Sequence, residues 1–312
     1  MPWKEGYTIS DEKSLTDNEV QWPDGKRMCM TVMLDLSLAS GPQGLTSADL
    51  RNANATFGLN EGFDQVRALL KKIDIKATVT VPAAMANILP DSILALRDDG
   101  HEIAAQGLKH EDVSTLNRED EKGRLDMTTE ILTKLLGHAP EGWFSLPRPG
   151  DPFAVGTVSP NTMDLLIDAG YRYMGNGLSD DIPHYWVTDF DSQRAMLTLP
   201  YFYHFDDQFF LMFPKKGTGL EHADTLFANW NAEFKAQYRR GRYFNMTLHP
   251  YAIAWCNRLK LLEDFLSRIR DFPGVWNPTA GQAAHYWLER YPAKSTLKLE
   301  PSVWKDYPGS LS

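Results

Sequence analysis

The sequence predicts an α/β protein, a deformed (β/α) barrel of about seven parallel strands in a single domain. Two observations lead there. Apolar or β-branched runs of strand length alternate with amphipathic runs of helical length. Polar side chains gather where those strands end, at Asp35, Gln106, Trp143, Pro200 and His249. In such barrels the strand ends build the active-site mouth.

Each element has its own signal. "RMCMTVMLDL" (27–36) is a continuous apolar run, as expected of a strand buried on both faces. Residues 59–73 have apolar side chains at helical spacing, with Asn60 or Glu61 near the start and lysines in the last turn. "IKATVTVP" (75–82) is a β-branched strand, and 90–100 is a helix opened by Pro90 and closed by Gly100. "HEIAAQG" follows as a strand, 118–137 as an amphipathic helix and "EGWFSLP" as a strand and loop. Residues 159–170 read as a helix with Ser159 at the N-cap and Pro160 at its first position. Later strands are "YRYMGN", "MLTLPYF", "YFNMTLHP" and "GVWNP", with helices over 222–241 and 257–272. With no internal repeat and no low-complexity linker, the chain divides into an arm (1–24), one barrel domain (25–290) and a tail (291–312).

Composition narrows the function. The 312 residues are 43% hydrophobic and 23% charged, an ordinary globular balance. A net charge of -9 without a basic stripe argues against nucleic acid. The N-terminus has no basic or apolar leader region, and no apolar run is long enough for a bilayer. The expectation is a cytoplasmic protein with a small-molecule substrate. The two cysteines, Cys29 and Cys256, lack a C-x-x-C pattern and are expected to be buried thiols.

Four stretches carry candidate chemistry. In "LDLS", Asp35 and Ser37 share one side of a strand. A carboxylate ending an apolar strand is a general base or a turn cap. In "AAQGLKHE", Gln106 and His110 stand at the spacing of a metal clip, but a neutral amide is a poor zinc ligand. His110 is then an acid–base group or a hydrogen-bonded loop residue. In "LHP", Pro250 biases His249 toward extended geometry at a strand end, which suits a general acid. "GWFSLPRPG" supplies Trp143 to wall a pocket and Arg148 to hold an oxyanion or carboxylate. The Asp pairs in "LSDDIP" and "FDDQ" read as loop caps or subunit contacts.

In this order the motifs resemble the polysaccharide deacetylase superfamily, with its NodB-homology or carbohydrate esterase 4-like fold. The nearest likeness is to the branch of cyclic amide and imide hydrolases that includes metal-independent allantoinases. The resemblance rests on "VQWPDGKRMCMTVMLDLS", "DDGHEIAAQGLKHED", "LPYFYHFDD" and "LHPYAIAWCNRLKLLEDFL", and runs from about Trp22 to about Trp287. It implies a barrel that often forms a homodimer or homotetramer. In metal-using members the first motif is D-x-D and the second H-x-x-x-H. Carried over, Asp35 matches the base, Ser37 the metal-binding Asp, Gln106 and His110 the two His ligands, and His249 the catalytic His. In the allantoinase-like relatives the first motif reads N-x-E, whereas here it is Asp35-x-Ser37. The G-x-P that follows the last His in relatives is Ala254-Trp255-Cys256 here.

These readings combine into one expectation: a metal-independent hydrolase of a C–N bond in a small cyclic amide, imide or ureide. Asp35 would act as base, with His249 and His110 as acids. Ser37, Gln106, Trp143, Arg148 and Tyr201 would contact substrate. Two alternatives stand beside it: a zinc-dependent deacetylase using Asp35 and His110, and a member that has exchanged hydrolysis for lyase, decarboxylase or ligand-binding work.

Overall fold

The computed structural model describes residues 13, 15–148, 158–189, 192–211 and 222–297. The order begins with β1 (Met28–Asp35), α1 (Ser47–Leu50), α2 (Ala53–Phe57), α3 (Phe63–Lys72), β2 (Thr78–Val81), α4 (Ala83–Ile88), α5 (Pro90–Asp98) and β3 (Glu102–Ala105). It continues with α6 (Arg118–Leu136), β4 (Gly142–Trp143), α7 (Thr162–Asp168), β5 (Tyr173–Gly177), β6 (His184–Asp189) and β7 (Arg194–Pro200). The last elements are α8 (Asp207–Leu211), α9 (Ala223–Arg240), β8 (Tyr243–Leu248), α10 (Pro250–Ile253), α11 (Cys256–Ile269), β9 (Val275–Trp276), α12 (Ala280–Arg290) and α13 (Ala293–Thr296).

The strands form one sheet in the order β6-β7-β5-β4-β3-β2-β1-β8, with β9 beside the start of β1. All ladders are parallel except β6–β7. Among the described residues no ladder joins β8 to β6, so the barrel is an open one. Every residue of β1 is buried, in keeping with its uninterrupted apolar run.

Side-chain alternation sorts the strand residues into two layers. Met30, Val32 and Leu34 pack outward with Phe63, Leu69 and Leu70 of α3. Cys29 and Met33 face the lumen with Ala104, Phe144, Tyr173 and Tyr243. Helix α12 brings Ala280, Ala284 and Trp287 into this inner layer. Gly281 N–H donates to Glu102 Oε2 at 2.7 Å, which fixes α12 at the starting ends of the strands. Asp35 has the parity of Cys29 and Met33, so it belongs to the lumen face.

Several details differ from the sequence-based expectations. Asn60 and Glu61 do not open a helix. They lie in a π-turn (Gly58–Gly62) that joins α2 to α3 without a break. Helix α7 starts at Thr162 rather than at Pro160; the Ser159 hydroxyl donates to the buried Glu121 carboxylate while its oxygen accepts from Asn161 N–H at 2.9 Å, a capping-type bond just ahead of the helix. Strand β6 and helix α12 were not foreseen. Cys29 is buried, but Cys256 is exposed. The arm is fastened: Trp22 Nε1 donates to Gly241 O at 2.8 Å, and Asp17 pairs with Arg242 at 2.6 Å.

The π-turn bears on the mouth of the barrel. A Cβ at Gly58 would lie 2.6 Å from Tyr251 Cβ, and one at Gly62 would lie 2.9 Å from Pro250 O. The two glycines therefore let the backbone of α10 settle directly on the turn. Gly58→Ala is expected to lower stability by about 1–3 kcal/mol through overpacking. A reduced urea midpoint with unchanged m-value would show it; an unchanged midpoint would contradict the close packing.

Candidate active site

Three strand ends converge. Asp35 closes β1. Gln106 follows β3, its N–H bonded to Val81 O at 3.0 Å. His249 follows β8 as the N-cap of α10, with φ -118° and ψ 125°, the extended geometry expected before Pro250. All three are about 1% exposed, so their interactions are scarcely screened by water.

Asp35 is the hub. Its Oδ1 accepts from Ser37 N–H at 2.6 Å, and its Oδ2 accepts from Gln106 Nε2 at 2.9 Å. His249 Nε2 lies 3.4 Å from the same Oδ2. The other ring nitrogen, Nδ1, is 2.7 Å from Asp207 Oδ1, and His249 N–H also donates to Asp207 at 2.9 Å. The result is a buried carboxylate–imidazole–carboxylate chain, Asp35–His249–Asp207. Beside it, Asp206 Oδ1 is 3.6 Å from His249 Nδ1, while Asp206 Oδ2 accepts from Tyr201 OH at 2.8 Å.

The electrostatics follow from this crowding. Burial disfavours the His249 cation, but Asp206 and Asp207 outweigh it, and the imidazole is held well above its ordinary value. Burial would raise Asp35, yet the His249 hydrogen bond and charge and the Ser37 N–H bring it below the usual carboxylate value. Asp206 is pushed up to about 7, first by burial and then by Asp207, against the pull of His249. Near neutral pH the site therefore pairs an ionised Asp35 with a protonated His249.

His110 is different. Its Nε2 is 2.6 Å from the Leu146 carbonyl, which can only accept, so Nε2 carries the proton. Its Nδ1 is 2.6 Å from Ser37 Oγ. Burial lowers its pKa, so the ring is neutral and takes the Ser37 hydroxyl proton as an acceptor. Both nitrogens are thus committed, and the arrangement gives His110 a positioning role in place of the expected acid–base one. Its φ of 58° is an uncommon backbone state for a side chain of this size.

Other expected contacts also fall elsewhere. Trp143 pairs in register with Ala105, the neighbour of Gln106, so alternation turns it to the outer layer. Its Nε1 donates to Ser145 Oγ at 3.1 Å. Phe144 takes the lumen position instead. Arg148 Nη1 donates to His110 O at 3.2 Å and its Nη2 lies 4.0 Å from Asp112, so these contacts brace the His110 loop. Tyr201 holds Asp206. A cavity of about 30 Å³ lined by Gln106, His110, Trp143 and Ser145 adjoins the site.

Sequence reasoning missed Asp206, Asp207, Gln208 and Tyr251. The Asp206–Asp207 pair had been read as a loop cap, yet both side chains are wholly buried against His249. Tyr251 OH donates to Gln208 Oε1 at 2.9 Å, and Gln208 Nε2 to Pro147 O at 3.2 Å, which ties α10 and α8 together over the strand ends. The sequence signal was the "FDD" stretch in the motif order, but nothing local joined it to "LHP".

The metal that the family resemblance implies does not fit these contacts. Its three expected positions hold Ser37, Gln106 and His110. The Ser37 hydroxyl and the His110 ring satisfy each other, and Gln106 presents an amide N–H to Asp35. An alcohol, an amide and a doubly bonded imidazole do not fit a divalent ion. Asp206, Asp207 and His249 do form a buried group with ligand atoms within 4.8 Å of one another, but His249 Nδ1 is closed by its short bond to Asp207.

The imidazolium depends on its carboxylate neighbours, which fixes a pH response. His249 is raised, so the stabilising charge pair is intact below its unfolded value and is lost as pH rises through the folded one. Asp207→Asn removes one of the carboxylates that raise it. The basic limb of stability against pH is expected to move down by about 1–3 units, measured by chemical denaturation across pH; an unmoved limb would separate Asp207 from His249.

Residues 42–174 match the family model described as polysaccharide deacetylase, a segment that includes Gln106 and His110. A peptidoglycan deacetylase of Helicobacter pylori is 26% identical over 259 residues, covering 75% of this chain and 86% of that protein. Among solved structures, the Puue allantoinase has a TM-score of 0.75 at 22% identity, covering 90% of this chain and 95% of its own. A putative polysaccharide deacetylase from Mycobacterium smegmatis has a TM-score of 0.75 at 24% identity, covering 87% and 94%. At these identities the structural likeness speaks for the fold, while the family model and the motif order speak for kinship. No helix among the described residues is long and apolar enough to cross a membrane. Residues 42–174 thus resemble the polysaccharide deacetylase family, and the chain shares the α/β fold of the solved structures it matches.

Proposed function

We propose that this protein hydrolyses a C–N bond in a small cyclic amide, imide or ureide, without a metal. The observation that carries the reading is the Asp35–His249 contact at 3.4 Å, with Asp207 bonded to the far side of the imidazole. An ionised carboxylate facing an imidazolium is a base and an acid in one site. The conversion of the metal positions into internal hydrogen bonds supports it.

The chemistry balances within these residues. Asp35 takes a proton from water as the water oxygen bonds to the carbonyl carbon. His249 gives its Nε2 proton to the departing nitrogen as the C–N bond breaks. Asp35 then returns its proton to His249 across the 3.4 Å between them. Asp207 fixes Nδ1, so only Nε2 takes part. The second N–H of the Gln106 amide is available to a developing oxyanion.

A second reading is removal of an acyl group from an amino sugar, which the name of the Helicobacter relative favours. The same two side chains would serve it. Assays on cyclic ureides and imides beside N-acetylated oligosaccharides separate the two. Asp35→Asn and His249→Ala are each expected to lower kcat by about a hundredfold or more, with wild-type turnover unaffected by chelators. Full turnover in either variant, or loss of activity on chelation restored by zinc, would overturn the proposal. The double variant Ser37→Asp, Gln106→His is expected to bind zinc stoichiometrically by calorimetry where the wild type does not.

A further inference from the structure

Polar side chains stand among the apolar ones in both halves of the lumen, but the two halves differ. In the lower half most side chains pair among themselves, Asn245 Oδ1 being left without a partner among the described residues. Thr31 Oγ1 meets Tyr243 OH at 2.6 Å, and Thr78 Oγ1 donates to Glu102 Oε2 at 2.8 Å. Glu102 also accepts from Tyr173 OH at 2.6 Å. In the upper half three oxygens have no protein partner among the described residues: Thr80 Oγ1, Thr247 Oγ1 and Gln106 Oε1.

Their placement is not scattered. Thr80 is the register partner of Asp35 on β2. Thr247 pairs in register with Met33 on β8, two residues before His249, so it shares the Asp35 face. Gln106 Nε2 is fixed on Asp35, which leaves its Oε1 as a pure acceptor beside the same carboxylate. The three oxygens thus flank the Asp35–His249 pair from three strands. Both threonines are about 1% exposed or less. A valine has nearly the same shape and would remove the burden of an unpaired buried hydroxyl at each position. Buried polar groups that lack protein partners are met by bound water.

We infer that Thr80, Thr247 and Gln106 Oε1 seat the attacking water against Asp35, as positioning residues for the hydrolysis proposed above, on which this inference rests. Asp35 keeps lone pairs beyond those used by Ser37 and Gln106, so it accepts one proton of that water. Gln106 Oε1 accepts the other. A threonine hydroxyl donates to the water oxygen and fixes its orientation. The attack then needs no metal to hold or acidify the nucleophile: its oxygen bonds to the carbonyl carbon while its proton passes to Asp35.

Isosteric variants test this. Thr80→Val and Thr247→Val are expected to lower kcat by about tenfold or more with KM within about twofold, at an unchanged or higher melting temperature. Thr80→Ser is expected to restore kcat. Unchanged kcat in both valine variants overturns the inference. So does a joint fall of kcat and melting temperature that serine fails to rescue, because it marks a structural hydroxyl. A high-resolution crystal structure gives a readout apart from turnover. The wild type should hold a water bonded to Asp35, Gln106 Oε1 and Thr80 Oγ1, and Thr80→Val should lose it. If no cyclic amide or ureide is turned over, the proposed reaction fails while the water seat is judged from that pair of structures alone; a wild type without the water removes the seat as well.

Discussion

One imidazole is shared by three carboxylates, and the mouth of the barrel is organised around that imbalance. Asp35, Asp206 and Asp207 are almost entirely cut off from solvent, with His249 as the cation among them. Three buried negative charges cannot be balanced by one positive charge without great cost. Burial and mutual repulsion therefore raise both Asp206, to about 7, and Asp207, so the Asp206–Asp207 pair takes up a proton more readily than ordinary carboxylates do. His249 stands as the cation between Asp35 on its Nε2 side and Asp206 and Asp207 on its Nδ1 side. The placement of α10 on its glycine turn and the Tyr251–Gln208 tie both serve to keep the imidazole between its partners.

At the positions that the resemblance would assign to a metal, the residues of this chain fit one another. An aspartate at residue 37 would stand beside Asp35 without a cation, and a histidine at residue 106 would lose the amide bond that steadies Asp35. Serine and glutamine avoid both conflicts. Serine gives His110 a donor, and glutamine gives Asp35 one. His110 keeps its place because the Leu146 carbonyl, the Arg148 guanidinium and the Ser37 hydroxyl hold its loop. Each replacement fits the other's hydrogen-bonding needs, so the site reads as a coherent polar network rather than a damaged ion site.

Much of this was legible in the sequence, and the rest was hidden for physical reasons. The apolar run before Asp35 revealed a doubly buried strand, and Pro250 disclosed the extended geometry of His249. The Ser37 and Gln106 replacements were visible as residue types. The outward turn of Trp143 was not legible because a strand of two residues gives no alternation to read, and its side chain lines the cavity beside Gln106 and His110 from the outer layer. Asp206 and Asp207 were passed over because their partner lies 42 or more residues away, and adjacent acidic residues usually face solvent. His110 was assigned a proton-transfer role that only its two ring contacts could correct. Strand β6 escaped notice because its neighbour on the sheet is antiparallel, outside the alternating β-α rhythm that disclosed the others.

The π-turn at Gly58–Gly62 also constrains how this chain can drift in length. A π-turn is an α-helical path with one residue too many. Losing a single residue there would restore regular helix and rotate everything beyond it by about 100°. Phe63, Val66 and Leu70, which now face the outer layer, would swing away from it, and α10 would lose the surface on which it rests. The segment from Gly58 to Gly62 therefore cannot give up even one position without dismantling a face of the protein.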